Sequence, residues 1–164
     1  MNRSQSASSD TLHYYPSMAS AKPRRTLEQT VFLQIQKTAD DLMAEFAELI
    51  KPHELSPEQY NVLRILRAAG DAGLATGKIT ERMLTREPDM TRLLDRLEKR
   101  NLIRRDRDPS DRRVVRAILI ADGLKLLASL DETILDLHHK QLKHLHRDKL
   151  KNLSELLESA RNRT

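Results

Sequence analysis

The sequence predicts a mainly α-helical fold with one small β-hairpin, and three observations lead to this prediction. The 164 residues include no Trp, two Phe and three Tyr, so Leu, Ile, Val and Ala must fill the core, which favours helices. Apolar residues recur at spacings of three and four over most of the chain, as they do on the buried face of a helix. Residues 101–120 depart from this period, because branched residues cluster there around the turn signal DPSD.

Size and composition exclude several classes of protein. The length suits one compact domain, with room for an added dimerising part. The absence of Cys excludes disulfides, thiolate metal sites and thiol-based redox sensing. No stretch approaches the roughly 18 apolar residues of a membrane span, and the N-terminus lacks the apolar segment of a secretory signal, so we expect a soluble, cytoplasmic protein with no membrane partner. Because no GxSxG, phosphate-loop or HExxH motif occurs, we expect neither an enzyme nor a cofactor.

The N-terminal part predicts an arm followed by a long helix. Residues 1–23 are rich in Ser and small polar residues without a period, which is typical of a disordered arm. From residue 24 to residue 51 the apolar positions fall on one helical face, and Pro52 ends the helix. These positions are Leu27, Val31, Ile35, Leu42, Phe46 and Leu49. We expect the segment 24–55 to serve dimerisation, because one small domain cannot cover so much apolar surface.

Two shorter helices are predicted next. Ser56 as N-cap, Pro57 at the first helical position and Gln59 three residues after the cap form a capping box, and Gly70 ends the helix. DAGLATG is then a connection, KITERML is a helix of about two turns, and TREP is a break.

The fourth predicted helix, about residues 88–100, has two contrasting faces. Pro88 sets its first turn. Its apolar stripe consists of Met90, Leu93, Leu94 and Leu97. The opposite face carries Arg92, Arg96, Lys99 and Arg100, with Asp95 and Glu98 among them, so some of these cations could pair within the helix.

A two-stranded antiparallel hairpin and two more helices complete the prediction. NLIRR and RRVVRAILI form the strands, and the charged DPSDRR region forms the loop between them. A long helix follows from about residue 121 to residue 145, and a last one from about 147 to 161. Their apolar positions are Leu124, Leu127, Leu130, Ile134, Leu137 and Leu142, then Leu150, Leu153, Leu156 and Leu157. We expect the segment 121–164 to serve dimerisation as well.

The order of these elements and the distribution of charge together favour DNA binding. A short helix, a turn and a second helix with a cationic outer face fit a helix-turn-helix, and the hairpin after it makes the fold winged. Residues 86–116 contain eleven Lys and Arg against seven Asp and Glu, whereas the other 133 residues contain eighteen against seventeen. Such a localised positive field suits a polyanion, although a solvated, ion-paired surface would have the same composition.

With these elements the chain resembles the MarR (multiple antibiotic resistance regulator) family of winged-helix transcription factors. The resemblance covers about residues 25–160 and rests on LSPEQYNVLRIL, on KITERM with MTRLLDRLEKRNLIRR, and above all on DPSDRR leading to an apolar strand and ADG. It implies a winged helix-turn-helix at residues 56–120, flanked by dimerisation helices. It also implies a homodimer that binds a pseudo-palindromic operator in double-stranded DNA, usually as a repressor. A small aromatic or other organic effector often weakens this binding.

The resemblance also implies which residues contact DNA. Arg92 would face the major groove, Asp111 and Arg113 would match the family's wing pair, and Arg112 or Arg113 would enter the minor groove. The full candidate set is Arg86, Glu87, Pro88, Asp89, Thr91, Arg92, Arg96, Arg105, Arg107, Asp111, Arg112 and Arg113. For Arg104, Arg105 and Arg107, phosphate contact and simple solvation both stay open.

Two positions depart from the family pattern. Leu84 occupies a turn position where many members have glycine. Glu87 stands where the family often has a polar or basic DNA-contacting residue; it could accept a hydrogen bond from cytosine N4 or stabilise the positive end of the helix.

Other residues have plain alternatives to a functional role. Four residues, Met43, Phe46, His53 and Tyr60, could line an effector pocket, but each also fits a core or surface position. The four histidines between 138 and 146 do not place two imidazoles on one helical face, which favours solvated or interface histidines over a metal site. The alternative function is a protein-interaction module that keeps the winged fold without sequence-specific DNA binding.

Overall fold

The computed structural model describes residues 25–85, 89–108 and 111–162 and confirms the predicted fold class. Four helices, a hairpin and two further helices follow one another in the predicted order. The bounds are α1 Leu27–Ile50, α2 Pro57–Ala69, β1 Leu74–Ala75, α3 Thr76–Arg82, α4 Met90–Lys99, β2 Ile103–Arg107, β3 Val115–Leu119, α5 Ala121–Leu142 and α6 His146–Arg161. The predicted arm, residues 1–23, lies outside the described residues.

Local signals in the sequence set the helix starts. The Ser56 hydroxyl accepts from the backbone N–H of Gln59 at 3.2 Å, and the Gln59 side chain accepts from the Ser56 N–H at 2.9 Å, so the predicted capping box is present. Thr26 and Gln29 form a second capping box at the start of α1. Gly70 follows the last residue of α2, as predicted. Pro52 lies in a short 3-10 turn, Lys51–His53, that continues directly from α1.

The sheet has one strand more than predicted. β1 pairs antiparallel with β3, which pairs antiparallel with β2, so the strand order is β1-β3-β2. The prediction of a plain connection over DAGLATG was therefore wrong at Leu74 and Ala75. Gly73 makes this pairing possible, because a Cβ at this position would lie 2.4 Å from the Ala117 carbonyl oxygen. Two residues are too few to display a strand period in the sequence.

The helix-turn-helix elements begin at other residues than predicted. α3 begins at Thr76, two residues before the predicted KITERML helix, and ends at Arg82. α4 begins at Met90, and its N-cap is Asp89, whose carboxylate accepts from the Arg92 N–H at 3.1 Å. An Asp at this point competes with the helical conformation by capping, which explains why the helix starts after it. Pro88, which the sequence placed in the first turn, lies outside the described residues.

The core lies where α2, α3, α4 and α5 meet the sheet. Its largest fully buried side chains, each less than 2% exposed, are those of Ile50, Val62, Leu63, Leu66, Ile79, Leu94, Leu97, Ile103, Leu127 and Leu130. An ion pair on the surface reinforces the contact between α2 and α5, since the Arg67 guanidinium binds the Asp131 carboxylate at 2.8 to 3.0 Å. At the start of α5, Gly123 allows the helix to touch the backbone of Leu102.

The outer helices contribute little to this core. In α1 only Phe46 and Ile50 are buried, and none of the residues of α6, all of which the structure describes, is buried. Large apolar side chains on these helices are exposed instead, and they include Leu27, Val31, Phe32, Leu33, Ile35, Leu153, Leu156 and Leu157. Among the described residues, no helix has the length and apolarity needed to span a membrane.

Candidate DNA-binding surface

α4 presents its polar face to solvent because its apolar face is buried. Met90, Leu93, Leu94 and Leu97 are buried against the core. The opposite face exposes Thr91, Arg92, Arg96 and Lys99. A ten-residue helix is about 15 Å long, and its diameter matches the roughly 12 Å width of a DNA major groove. The structure therefore offers a free cationic helix of suitable size.

Arg92 is held by the residue that caps the same helix. Asp89 Oδ1 accepts the Arg92 backbone N–H at 3.1 Å, and Asp89 Oδ2 lies 3.1 Å from Arg92 Nε. The Arg92 side chain is 78% exposed. One carboxylate thus caps α4 and positions the arginine that the resemblance places in the groove.

The carboxylates within α4 pair with a neighbouring strand rather than with the helix's own cations. Arg105 Nη2, on β2, lies 2.6 Å from both Asp95 Oδ1 and Glu98 Oε2, and the Arg105 backbone N–H donates to Glu98 Oε1 at 3.0 Å. The hydrogen bond with Glu98 raises the pKa of Arg105. Arg105 therefore neutralises two acidic groups on α4, and its predicted role as a phosphate contact competes with these bonds.

Because Asp95 and Glu98 are occupied by Arg105, the other cations of this surface remain available. Arg96 and Lys99 on α4, with Arg107 and Arg112 on the hairpin, are exposed and have no ion-pair partner within the part of the chain that the structure describes. A bound phosphate stabilises such cations most, since only water and salt ions otherwise screen their charge.

The hairpin loop carries the predicted Asp111–Arg113 contact. Arg113 Nε lies 3.1 Å from Asp111 Oδ1, Arg113 Nη2 lies 3.3 Å from Oδ2, and the Arg113 backbone N–H donates to Oδ1 at 3.0 Å. These hydrogen bonds lower the pKa of the Asp111 carboxyl. The Arg113 side chain is 91% exposed, so Asp111 orients a guanidinium that otherwise stands in solvent. Pro109 and Ser110, at the predicted tip, lie outside the described residues.

Arg116, which the sequence analysis did not single out, fixes the base of the hairpin. Arg116 Nη1 binds Asp108 Oδ2 at 2.8 Å, while its other nitrogens donate to the carbonyls of Ala72 and Gly73 at 2.9 and 3.1 Å. The Asp108 side chain is only 13% exposed. This arginine joins the hairpin to the turn before β1, which local sequence patterns cannot reveal because the partners are over forty residues apart.

Arg100 points inward, although the sequence placed it on the cationic face of α4. Its guanidinium donates to the backbone carbonyl of His53 at 2.9 Å and to the backbone carbonyl of Glu54. Asn101, in the left-handed region at φ 55°, donates to Asp122 at 2.8 Å. The end of α4 is thus fixed both to the turn that follows α1 and to the start of α5, and α1 and α5 are predicted dimerisation helices.

The four candidate effector residues lie in different surroundings. Phe46 and Tyr60 are buried and pack edge to face with ring centroids 5.2 Å apart, and burial raises the pKa of Tyr60. Met43 is 43% exposed on α1, and the His53 carbonyl is bound by Arg100. A separate surface groove of about 400 Å³ between α1 and α5 is lined by Leu49, Thr133, Asp136, Leu137, His139 and Lys140. The effector pocket stays a prediction.

The remaining candidates are residues 86–88 and the histidines. Arg86, Glu87 and Pro88 lie outside the described residues. The described part of the chain contains no group of three or more His, Asp or Glu residues that could hold a metal ion. His138 instead stacks on Phe46, with ring centroids 6.2 Å apart.

Comparisons with known proteins connect this surface to one family. Residues 55–115, which run from the start of α2 to the first residue of β3, match the sequence profile of the MarR family. The crystal structure of a MarR transcription factor from Planctomyces limnophilus is 43% identical to this chain, with a TM-score of 0.65. The alignment covers 82% of this chain and 97% of that one.

Two curated proteins of Bacillus subtilis (strain 168) are also similar. The HTH-type transcriptional repressor MdtR is 32% identical over 97 residues, 59% of this chain and 61% of that protein. The uncharacterized HTH-type transcriptional regulator YsmB is 32% identical over 80 residues, 49% of this chain and 53% of that protein. The matched segments therefore span less than two thirds of either relative.

Proposed function

This chain belongs to the MarR family of transcriptional regulators, and from that premise we propose that it regulates transcription by binding double-stranded DNA as a homodimer. The observation that carries the proposal is the set of exposed, unpaired cations that α4 and the hairpin present among the described residues. Arg96 and Lys99 on the helix and Arg107 and Arg112 on the hairpin are exposed, while the carboxylates between them are tied to Arg105. A surface of this kind attracts a polyanion.

We propose distinct roles for the two parts of this surface. α4 enters the major groove, where Thr91 and Arg92 at its start reach base edges, and Arg96 binds a phosphate. The hairpin is the wing, and Arg113, oriented by Asp111, enters the adjacent minor groove, while Arg107 and Arg112 contact the backbone. Arg86, Glu87, Pro88 and Asp89 complete the proposed interface.

The homodimer follows from the apolar surface of the outer helices. Phe32 and Leu156 are 59% and 69% exposed in the single chain, and both belong to helices that contribute little to the core. Pairing of two chains through α1, α5 and α6 would remove this surface from water. Two-fold symmetry of the dimer then requires a pseudo-palindromic operator, with the winged segment 56–120 of each chain on one half-site.

We further propose that the protein is a repressor and that a small organic effector releases it. Support for release comes from Arg100, which links the end of α4 to the carbonyls of the turn that follows α1. A ligand that shifts α1 against α5 would therefore also shift the recognition helix. The groove beside Leu49 and Leu137 is one place where such a ligand could act.

Binding to a fragment of the gene's own promoter tests the proposal. We expect retardation of this fragment to fall steeply with salt, since log K decreases by about 0.9 per phosphate contact for each tenfold rise in salt. Arg113→Ala should weaken binding. Lys151→Ala is the matched control, because Lys151 is an exposed cation on α6 that lies 3.9 Å from Glu155.

Two results would contradict the proposal. One is binding that does not respond to salt, and the other is the absence of binding to any DNA. Binding without preference for promoter over random DNA would favour the alternative, a winged-helix protein-interaction module that uses its basic face for a protein partner.

A further inference from the structure

We propose that Asp89 is a specificity-determining residue, which positions the Arg92 guanidinium so that it reads a guanine in each operator half-site. The inference rests on the proposed DNA-binding function and deepens it, since it names one base and the residue pair that selects it. Asp89 acts through Arg92 and is therefore a positioning residue.

The geometry of the pair determines which edge of the guanidinium is available. Asp89 Oδ2 lies 3.1 Å from Arg92 Nε, so the carboxylate occupies the Nε side. A guanidinium is planar and rigid, so its far edge, formed by one N–H of each terminal nitrogen, faces away from Nε. Arg92 can therefore present two parallel N–H donors end-on.

Guanine is the base that matches two parallel donors. Its major-groove edge has two neighbouring acceptors, N7 and O6. Adenine pairs one acceptor with a donor, thymine offers one acceptor and a methyl group, and cytosine offers a donor. An arginine restricted to the end-on orientation is thus expected to prefer guanine by about 5- to 150-fold over the other bases.

Charge explains why this arginine reads a base rather than a phosphate. The Asp89 carboxylate lies 3.1 Å from Arg92 Nε, and its negative charge repels a phosphate that approaches Arg92 closely. Arg96, one helical turn further on, is exposed and has no ion-pair partner among the described residues. Arg96 therefore gains more from a phosphate than Arg92 does, which divides the two arginines of α4 into a phosphate contact and a base contact.

The carboxylate itself is well fixed for a surface group. Asp89 Oδ1 caps α4 by accepting the Arg92 N–H at 3.1 Å, so the oxygen that meets Nε belongs to a group already held by the backbone. An exposed ion pair contributes little to folding, but this one restricts the rotamers of a long side chain before DNA arrives. Its effect should therefore be on base preference rather than on stability.

Selection of bound sequences from random DNA with purified full-length proteins tests the inference. Wild type should select one guanine per half-site, and Arg92→Ala should lose the preference at that position alone. Asp89→Asn and Asp89→Ser keep an oxygen that can cap α4 but remove the charge. In both variants we expect the preference for this guanine to fall by at least about fivefold, with unchanged thermal unfolding. Arg96→Ala is the control, because it should weaken binding to all sequences alike.

Three outcomes would overturn the inference, and they separate it from the proposed function. If both Asp89 variants select the same guanine as strongly as wild type does, Asp89 does not position Arg92. If Arg92→Ala keeps the full base preference, Arg92 does not read a base. If wild type selects no sequence at all, the proposed function fails and this inference fails with it.

Discussion

Replacing Gly123 by Ala should destabilise the protein, although alanine is the better helix former. Gly123 is buried in the first turn of α5, where the helix crosses the chain between α4 and β2. A Cβ at this position would lie 2.3 Å from the Leu102 carbonyl oxygen and 2.6 Å from Leu119 Cδ1. Carbon normally stays about 3.3 Å from a carbonyl oxygen, so α5 would have to move by about 1 Å.

The net loss can be worked out from two opposing effects. Overpacking of this kind costs about 1–3 kcal/mol, and the upper end applies because the carbonyl oxygen of Leu102 belongs to the backbone and cannot rotate away. Replacing glycine in a helix returns about 1 kcal/mol. We therefore expect the free energy of unfolding to fall by about 2 kcal/mol, equivalent to a decrease in Tm of roughly 4–8 °C for a chain of this length.

Urea unfolding at one fixed protomer concentration measures this loss, because the stability of a dimer depends on concentration. Gly77→Ala is the matched control. Gly77 lies in α3, and a Cβ there would meet nothing within 4 Å, so this variant should gain about 1 kcal/mol. If Gly123→Ala is as stable as Gly77→Ala, the close contact between α5 and Leu102 does not exist as described.

Three further predictions concern the ion pairs and the dimer. In Arg113→Ala the pKa of Asp111 should rise towards its ordinary value, which an NMR titration of this carboxyl would detect. Arg113 lowers this pKa in the folded protein, so the contribution of the ion pair to stability is present at neutral pH. That contribution disappears as the pH falls through the lowered pKa. An unchanged Asp111 titration would contradict the contact with Arg113. Arg105→Ala should lower the free energy of unfolding in urea by about 1–2 kcal/mol, a value between those of surface and buried ion pairs. The reason is that the Arg105 side chain is only 28% exposed and its removal leaves two carboxylates without their partner. An unchanged free energy of unfolding would mean that water already solvates these charges. Leu156→Glu should shift sedimentation towards the monomer, because it places a charge on the apolar face of α6, and an unaltered dimer would exclude this face from the interface.

The elements that sequence reasoning predicted well are those whose signals are local. Ser56, Gln59 and Gly70 lie within one or two turns of the helix ends that they determine, so α2 could be bounded from the sequence alone. The stripe of α4 was equally clear, since Leu93, Leu94 and Leu97 share one face by helical period.

The features that it missed depend on partners distant in the chain. Arg116 binds carbonyls at residues 72 and 73, and Arg100 binds carbonyls at residues 53 and 54, contacts that only the tertiary fold creates. The pairing of Arg105 with Asp95 and Glu98 was missed for a different reason. Charges spaced by three and four in a helix predict pairing within the helix, and the sequence does not indicate that a neighbouring strand competes for them.

The most direct test of the central proposal is a genome-wide selection of DNA fragments bound by the purified protein. A homodimer that places one α4 and one wing on each half-site should enrich fragments with an inverted repeat, whose half-sites are about 10 base pairs apart from centre to centre. Fragments enriched without a shared repeat, or no enrichment over the input DNA, would contradict the proposal that this surface recognises an operator.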